Sequence, residues 1–242
     1  MKHDSVTPYQ SDSSKKEQVA KMFNNIAHKY DFLNHFLSLG IDILWRKKAI
    51  RLLKPKNPKR IIDIATGTGD FALASLKFNP ESVTGIDISQ GMIDVGNKKI
   101  LDKKQNHIIN LRLGDSENIE FGDNYFDALT VGFGVRNFQN LKKGLSEMYR
   151  VVRPGSSSAI LEFSKPKVFP VKQIYNFYFN KILPGVGKIF SKDNAAYTYL
   201  PESVDAFPEG EEFISVLKEV GYKNIKQYPL MFGIASIYLA EK

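Results

Sequence analysis

The stretch Arg60-Ile61-Ile62-Asp63-Ile64-Ala65-Thr66-Gly67-Thr68-Gly69-Asp70-Phe71-Ala72, residues 60–72, decides the fold. Its first half is a short apolar, β-branched run, the pattern of a strand buried in a parallel sheet. A glycine-rich turn ends it, and a helical pattern follows. Open α/β sheets build nucleotide sites in this way, at the carboxyl end of a strand. Gly67 and Gly69 let the chain bend sharply and let a ligand approach without a Cβ in the way. The spacing fits a loose G-x-G-x-x-G/A ending at Ala72, which points to a nucleotide without saying which one.

Charge narrows the choice. Asp63 stands just before the glycines and Asp70 just after them. A pyrophosphate wants bare N–H groups at a helix start, and two carboxylates would repel it. A ligand with an ammonium or sulfonium group is favoured instead. S-adenosylmethionine has both, plus an adenosine. Asp63, Gly67, Thr68 and Gly69 are therefore expected to hold that cofactor.

The 242 residues suit one globular α/β domain with elaborations. There is no cysteine, which excludes disulfides and cysteine-based metal sites; no metal is expected. No stretch reaches the roughly 20 apolar residues of a membrane span, and the polar N-terminus lacks a signal-peptide core. A soluble or peripheral, cytoplasmic protein is expected. The net charge of +8 suits nucleic acid, an anionic membrane surface, acidic small substrates, or merely a lysine-rich solubility surface. No zinc-finger, RNA-recognition or helix-turn-helix signature supports nucleic acid, and none is expected as a partner.

Outward from the loop, residues 1–16 are polar, without periodicity, and read as a mobile arm. A helical pattern starts at Glu17. From Tyr30 to Arg46 the chain reads as helical pieces broken near Ser38–Gly40, with Trp45 as a core anchor. Residues 17–55 thus form a helical N-terminal cap. Lys54-Pro55-Lys56-Asn57-Pro58-Lys59 is a connector into the first strand.

Downstream, a helix at Asp70–Lys77 precedes a strand at Ser82–Asp87. Asp87, twenty residues beyond Gly67, can accept both ribose hydroxyls of an adenosine; the alternative role of helix N-cap fits Ser89 better. A helix at Gln90–Lys103 leads to a strand at Ile108–Leu113, after which Asp115 and Ser116 face either an adenine amino group or only their own turn. A fourth strand, Ala128–Gly132, opens into Gly132-Phe133-Gly134-Val135-Arg136-Asn137-Phe138. Gly132 and Gly134 permit close approach. Arg136 and Asn137 are polar groups in an apolar setting, either catalytic or in a structural ion pair.

The rest of the pattern is a helix at Leu141–Val151, stopped by Arg153-Pro154-Gly155, then a strand at Ser158–Phe163. A helix opened by Pro208-Glu209 runs to Val220, and strands at Asn224–Tyr228 and Ile234–Ala240 pair antiparallel. Residues 167–207 differ in kind, being aromatic and basic: Tyr175, Phe177, Tyr178, Phe179, Lys188, Lys192, Tyr197 and Tyr199. They can cover a cleft, rest on a membrane surface, or form a satellite cluster.

These residues resemble the class I S-adenosylmethionine-dependent methyltransferases, and within them the ubiquinone/menaquinone biosynthesis C-methyltransferases. The resemblance is carried by Tyr30-Asp31-Phe32-Leu33-Asn34 through Leu37-Ser38-Leu39-Gly40-Ile41 to Trp45, by Gly67-Thr68-Gly69-Asp70, by Gly132-Phe133-Gly134-Val135-Arg136-Asn137, and by Arg150-Val151-Val152-Arg153-Pro154-Gly155 through Leu161-Glu162-Phe163-Ser164-Lys165-Pro166. It runs from about Val19 to the C-terminus.

The resemblance implies a Rossmann-like α/β fold over residues 56–242. Its seven-stranded, mostly parallel sheet has an antiparallel last strand, helices on both faces, and the insertion 167–207 as a lid. The implied reaction is methyl transfer to a ring carbon of a demethylated, prenylated quinol, demethylmenaquinol first. Methylation in ubiquinone biosynthesis or of another small molecule is the alternative.

Arg136, Asn137 and Asp42 are the implied catalytic residues. Tyr30, Asn34 and Tyr197 are the implied substrate contacts, and Asp63, Gly67, Thr68, Gly69, Asp87, Asp115, Ser116 and Gly132 hold the cofactor. The family usually has a histidine where this chain has Asp42, and a second glycine where it has Ser156. A carboxylate there has a lower ordinary pKa than an imidazole. Peripheral contact with the inner membrane face and a homodimer are compatible with the resemblance.

Overall fold

The computed structural model describes residues 2–38, 40–53, 57–182 and 195–242. Seven strands form one sheet: β1 Arg60–Ile64, β2 Ser82–Asp87, β3 Ile109–Leu113, β4 Phe126–Gly132, β5 Val152–Phe163, β6 Lys223–Leu230 and β7 Ala235–Glu241. Their order is β3-β2-β1-β4-β5-β7-β6. The first five pair parallel, and β7 runs antiparallel between β5 and β6. The expected fold class, with its antiparallel last strand, is the observed one.

Eight helices pack around the sheet among the described residues: α1 Lys15–Leu37, α2 Ile41–Leu53, α3 Asp70–Ser75, α4 Gln90–Asp102, α5 Leu141–Val151, α6 Val171–Phe177, α7 Ala195–Ala206 and α8 Glu211–Val220. Ser89 caps α4 by accepting the Met92 N–H at 3.2 Å, leaving Asp87 free of that duty. Gly221, at φ +118°, closes α8. The break expected near Ser38–Gly40 separates α1 from α2, and Gly40 has φ +73°.

The strand alternation sorts the core into two halves. Ile62, Ile64, Leu129, Val131 and Ile160 face α5 and α8, meeting Leu141, Leu145, Met148, Phe213 and Leu217. Ile61, Val83, Ala159, Leu161 and Ile237 face the other way, against Trp45, Ala49 and Leu53 of α2 and Ile93 and Ile100 of α4. Both faces of a parallel sheet are thereby covered, which is why its strands are apolar almost throughout. Each fully buried branched side chain contributes about 1.5–3 kcal/mol relative to exposure.

Some boundaries shift. β4 starts at Phe126 and β5 at Val152, because hydrogen bonding continues through turns whose residues look like loop. The third helix stops at Ser75 and tightens into a 3₁₀ turn, Leu76–Phe78.

The larger correction concerns residues 1–16, expected as a mobile arm. Lys2–Ser5 form a 3₁₀ turn and α1 already begins at Lys15. His3 is buried, its Nε2 2.7 Å from the Arg136 carbonyl, and the buried Lys15 Nζ donates to the His3 carbonyl at 2.8 Å. Gln18 holds the intervening loop through the Tyr9 N–H and the Ser11 and Ser13 carbonyls. A polar composition concealed these partners, which come from the chain's own backbone.

The strand order reverses between β1 and β4. A crevice opens there beyond the carboxyl ends of the strands, where open α/β sheets bind ligands. Ala65, directly after β1, has φ +49°, and Phe133, directly after β4, has φ +59°. Non-glycine residues in this region cost about 1–3 kcal/mol each and cluster at functional sites. Gly134 completes the corner: a Cβ on it would lie 2.5 Å from the Ala65 Cβ. The close approach that glycine permits at this position is between two strand ends rather than to a ligand.

Candidate active site

Three connected spaces occupy the crevice. The first, of about 60 Å³, runs from Gly67 and Asp87 to Asp115 and Ser116, under Lys16, Val19 and Phe23 of α1. A smaller lobe of about 30 Å³ lies between Arg46, Asp63, Thr66, Thr68 and Asp70. Tyr30, Ala65, Gly67 and Gly132 line both, so the two are lobes of one cleft. The third space, of about 410 Å³, is almost wholly apolar and lies under α6 and α7.

Asp87 sits at the middle of the cleft. Its Oδ2 accepts the Gly67 N–H at 2.8 Å and its Oδ1 accepts the Ser89 N–H at 2.9 Å. Burial pushes its carboxyl above the ordinary range, against the pull of those amides. A carboxylate has about four lone-pair directions, so two amides leave acceptors for a diol. The Gly69 N–H is also used, donating to the Thr66 carbonyl at 2.9 Å. Both glycine amides of the loop are thus consumed internally.

The acidic flank of the loop is neutralised in the fold, which corrects the expectation of a bare cation there. Asp63 is buried and turned inward, Oδ2 accepting from Thr66 Oγ1 at 2.5 Å and Oδ1 from Thr130 Oγ1 at 2.7 Å. Burial pushes its carboxyl up to about 6. Asp70 lies 2.9 Å from Lys99 Nζ and 3.8 Å from Arg46 Nη1. The flank therefore offers paired charges of both signs, which suits a zwitterionic amino-acid end better than a bare cation. Arg46 and Lys99 carried no signal in the loop itself, though Arg46 stands four residues beyond Asp42 on the same helix face.

α1 roofs the nucleoside lobe. Asn24 Oδ1 accepts the Gly91 N–H at 2.9 Å and the Ser89 hydroxyl at 2.8 Å. Asp31 accepts from Thr68 Oγ1, and Lys16 Nζ reaches Asp115 Oδ2 at 2.6 Å. Tyr30 projects to the meeting point of all three spaces, and burial pushes its phenol up to about 12. The side chains of Asn34 and Tyr197 lie outside the described residues, as do Lys188 and Lys192.

Arg136 and Asn137 stand where the cleft meets the apolar cavity. Arg136 Nη1 bonds Glu162 Oε1 at 2.8 Å and also reaches the Phe133 carbonyl. Its backbone N–H donates to Glu162 Oε2 at 3.3 Å. The structural ion pair weighed in the sequence is present. Yet Arg136 lines the apolar cavity, and its buried Nε has no partner among the described residues. Asn137 donates through Nδ2 to the Phe133 carbonyl at 3.3 Å, and its buried Oδ1 has no partner among the described residues. Tyr175 and Tyr199 line the same cavity, and their buried hydroxyls have no partner among the described residues.

Glu162 and the two tyrosines escaped the sequence reading. Glu162 had a signal, being the lone acid in the apolar run from Ala159 to Phe163. The tyrosines had none that set them apart from neighbouring aromatics. Asp42 stands apart from the three spaces. It is buried, its carboxylate bonds Arg46 and accepts the Ser38 hydroxyl at 2.6 Å, and it lines none of the three spaces. It reaches the small lobe by holding Arg46, which lines it.

Comparison with known proteins gives the family. The model of the ubiE/COQ5 methyltransferase family matches residues 11–242. The chain belongs to the ubiE/COQ5 methyltransferase family. It is 49% identical over 238 residues to the demethylmenaquinone methyltransferase of Bacteroides fragilis, covering 98% of this chain and 97% of that protein. It is 44% identical over 232 residues to the ubiquinone/menaquinone biosynthesis C-methyltransferase UbiE of Geotalea daltonii, covering 95% and 98%. Among solved structures, a Methanococcus maripaludis protein described as an S-adenosylmethionine-dependent methyltransferase shares the fold, with a TM-score of 0.62 at 20% identity over 97% of this chain and 96% of that one.

Membership in the ubiE/COQ5 family makes the chain an S-adenosylmethionine-dependent methyltransferase, and the residues of the cleft fit that cofactor. A buried carboxylate with spare lone pairs suits a ribose diol. A paired acid and base at the small lobe suit an α-amino acid. Asp115 and Ser116 close the far end of the larger lobe.

Proposed function

We propose that the protein methylates a ring carbon of a demethylated, prenylated naphthoquinol held in the apolar cavity, the C-methylation step of menaquinone biosynthesis. One observation carries the reading. Phe23, Tyr30, Phe133 and Asn137 line both the nucleoside lobe and the apolar cavity, so a donor in one and a ring in the other meet across a single wall. At about 410 Å³ the cavity falls within the range of small-molecule sites, about 300–1,000 Å³.

S-adenosylmethionine supplies a methyl group already activated by its sulfonium charge. The protein's part is to place the ring in line, exclude water, and raise the electron density of the attacked carbon. Arg136 stays protonated, and its free Nε–H is the donor that stabilises a ring phenolate. Asn137 Oδ1 is an acceptor and requires a donor, which a ring O–H provides. Burial holds the Tyr175 and Tyr199 hydroxyls well above the ordinary phenol range, so they stay protonated and donate to ring oxygens. Tyr175 stacks on Phe179 at 4.2 Å, and Trp45, Phe133 and Phe163 close the ring's other side. No carboxylate or histidine lines the cavity among the described residues. The ring proton that leaves after methyl transfer passes to a water between Arg136 and Asn137.

The arrangement predicts selection for the reduced ring. A quinone has two carbonyl acceptors and no O–H, so it leaves Asn137 Oδ1 unpaired at a cost of about 1–3 kcal/mol. Binding measured anaerobically should favour demethylmenaquinol over demethylmenaquinone by about tenfold or more. Asn137→Leu should erase the preference. Equal affinities of the unaltered protein for the two forms contradict this role.

A further inference from the structure

We infer that the mouth of the apolar cavity is a docking face for an anionic lipid bilayer. This inference rests on the reading of a prenylated substrate. Phe169 is 78% exposed, Phe232 72%, Ile174 65%, Phe177 61% and Val168 58%. Large apolar side chains at such exposure, grouped rather than scattered, mark an interaction surface.

The group comes from two distant segments that lie side by side. The Ser164 N–H donates to the Ile234 carbonyl at 2.9 Å and the Ser164 hydroxyl to the Gly233 carbonyl at 2.8 Å. A Cβ on Gly233 would lie 3.6 Å from the Pro166 Cα. The turn bearing Phe232 is thus tied to the segment that leads to Val168 and Phe169. On α6, Ile174 and Phe177 are three residues apart and share a face. Ile174 and Met231, itself 45% exposed, also line the apolar cavity. The exposed apolar rim and the ring-binding cavity are therefore one continuous surface.

Charge selects the partner. Residues 163–182 contain four lysines and no Asp or Glu. Lys165 is engaged with Asp205, but Lys167 and Lys172 are exposed and make no ion pair among the described residues. Aromatic side chains at the interface, with lysines toward anionic headgroups, are the composition of a surface that lies in a bilayer's edge. No helix of the described residues is long and apolar enough to cross a membrane, so the contact is superficial. A prenyl tail leaving through this mouth would remain among acyl chains while the ring turns over.

The test compares the unaltered protein with the triple variant Phe169→Ser, Phe177→Ser, Phe232→Ser. None of the three lines the cavity, and all are exposed. In sedimentation with vesicles of phosphatidylglycerol and phosphatidylcholine, the unaltered protein should bind, more weakly in high salt and in phosphatidylcholine alone. The triple variant should bind at least about tenfold more weakly, while its turnover of a demethylmenaquinol with one prenyl unit stays unchanged. Unaltered protein that stays in the supernatant, or a variant that binds equally, overturns the inference. So does a solution dimer that the triple substitution dissociates, which would assign the face to a second copy of the chain. Absence of turnover on the one-unit quinol would instead count against the proposed quinol methylation, whatever the vesicles show.

Discussion

Arg136→Lys should lower kcat by about 10²- to 10³-fold, the loss typical of removing one preorganised donor from a developing anion. The lysine keeps a cation beside the buried Glu162, so folding survives. What it cannot reproduce is the planar fork, in which Nη1 is committed to Glu162 while the buried Nε keeps an unused N–H among the described residues. The cofactor Kd should stay within about threefold, because Arg136 lines neither lobe of the nucleoside cleft. The pH profile separates the role from a structural one. Stabilising the phenolate lowers the pH at which the bound ring ionises, so in the variant the ascending limb of kcat should move to higher pH. Truncation to Ala would leave Glu162 buried and unpaired, a cost of about 3–5 kcal/mol. The double variant Arg136→Gln, Glu162→Gln removes both charges and keeps the question answerable. Equal losses in kcat and cofactor affinity, with an unmoved pH limb, contradict the assignment.

Asp87→Ala should raise the cofactor Kd by about 10- to 100-fold, since charge-assisted hydrogen bonds to a diol are worth about 1.5–3 kcal/mol. The same change orphans the Gly67 and Ser89 amides, which shape the glycine turn. A modest fall in Tm should therefore accompany the weaker binding. The KM for the quinol at saturating cofactor should not change, because Asp87 is absent from the apolar cavity. Calorimetry that finds the cofactor affinity unaltered removes Asp87 from the ribose role.

The parts of the site that could be read in the sequence are those fixed by neighbours along the chain. The β1 run, its glycine turn and the acid closing β2 follow local rules of period, turn and strand end. So does the break between α1 and α2. The parts that could not be read depend on residues far apart. Lys16 meets Asp115 across 99 positions, and Arg136 meets Glu162 across 26. The loop's acidity was legible and its neutralisation was not, because Lys99 reaches Asp70 from the next-but-one element. The N-terminal segment shows the same limit: nothing in its composition reveals that His3 will cap a carbonyl at position 136. Asp42 was singled out by a family position, and its bond to Arg46, which ties it to the small lobe, becomes visible in the fold.

The central claim is that one wall separates a methyl donor from a reduced, prenylated ring. The most direct measurement is transfer of a labelled methyl group from S-adenosylmethionine by the purified protein, offered demethylmenaquinol anaerobically alongside RNA and a sterol. The account predicts label on a ring carbon of the quinol, a product heavier by one methylene, and none on the other acceptors. Label on RNA or the sterol with an unlabelled quinol would contradict it.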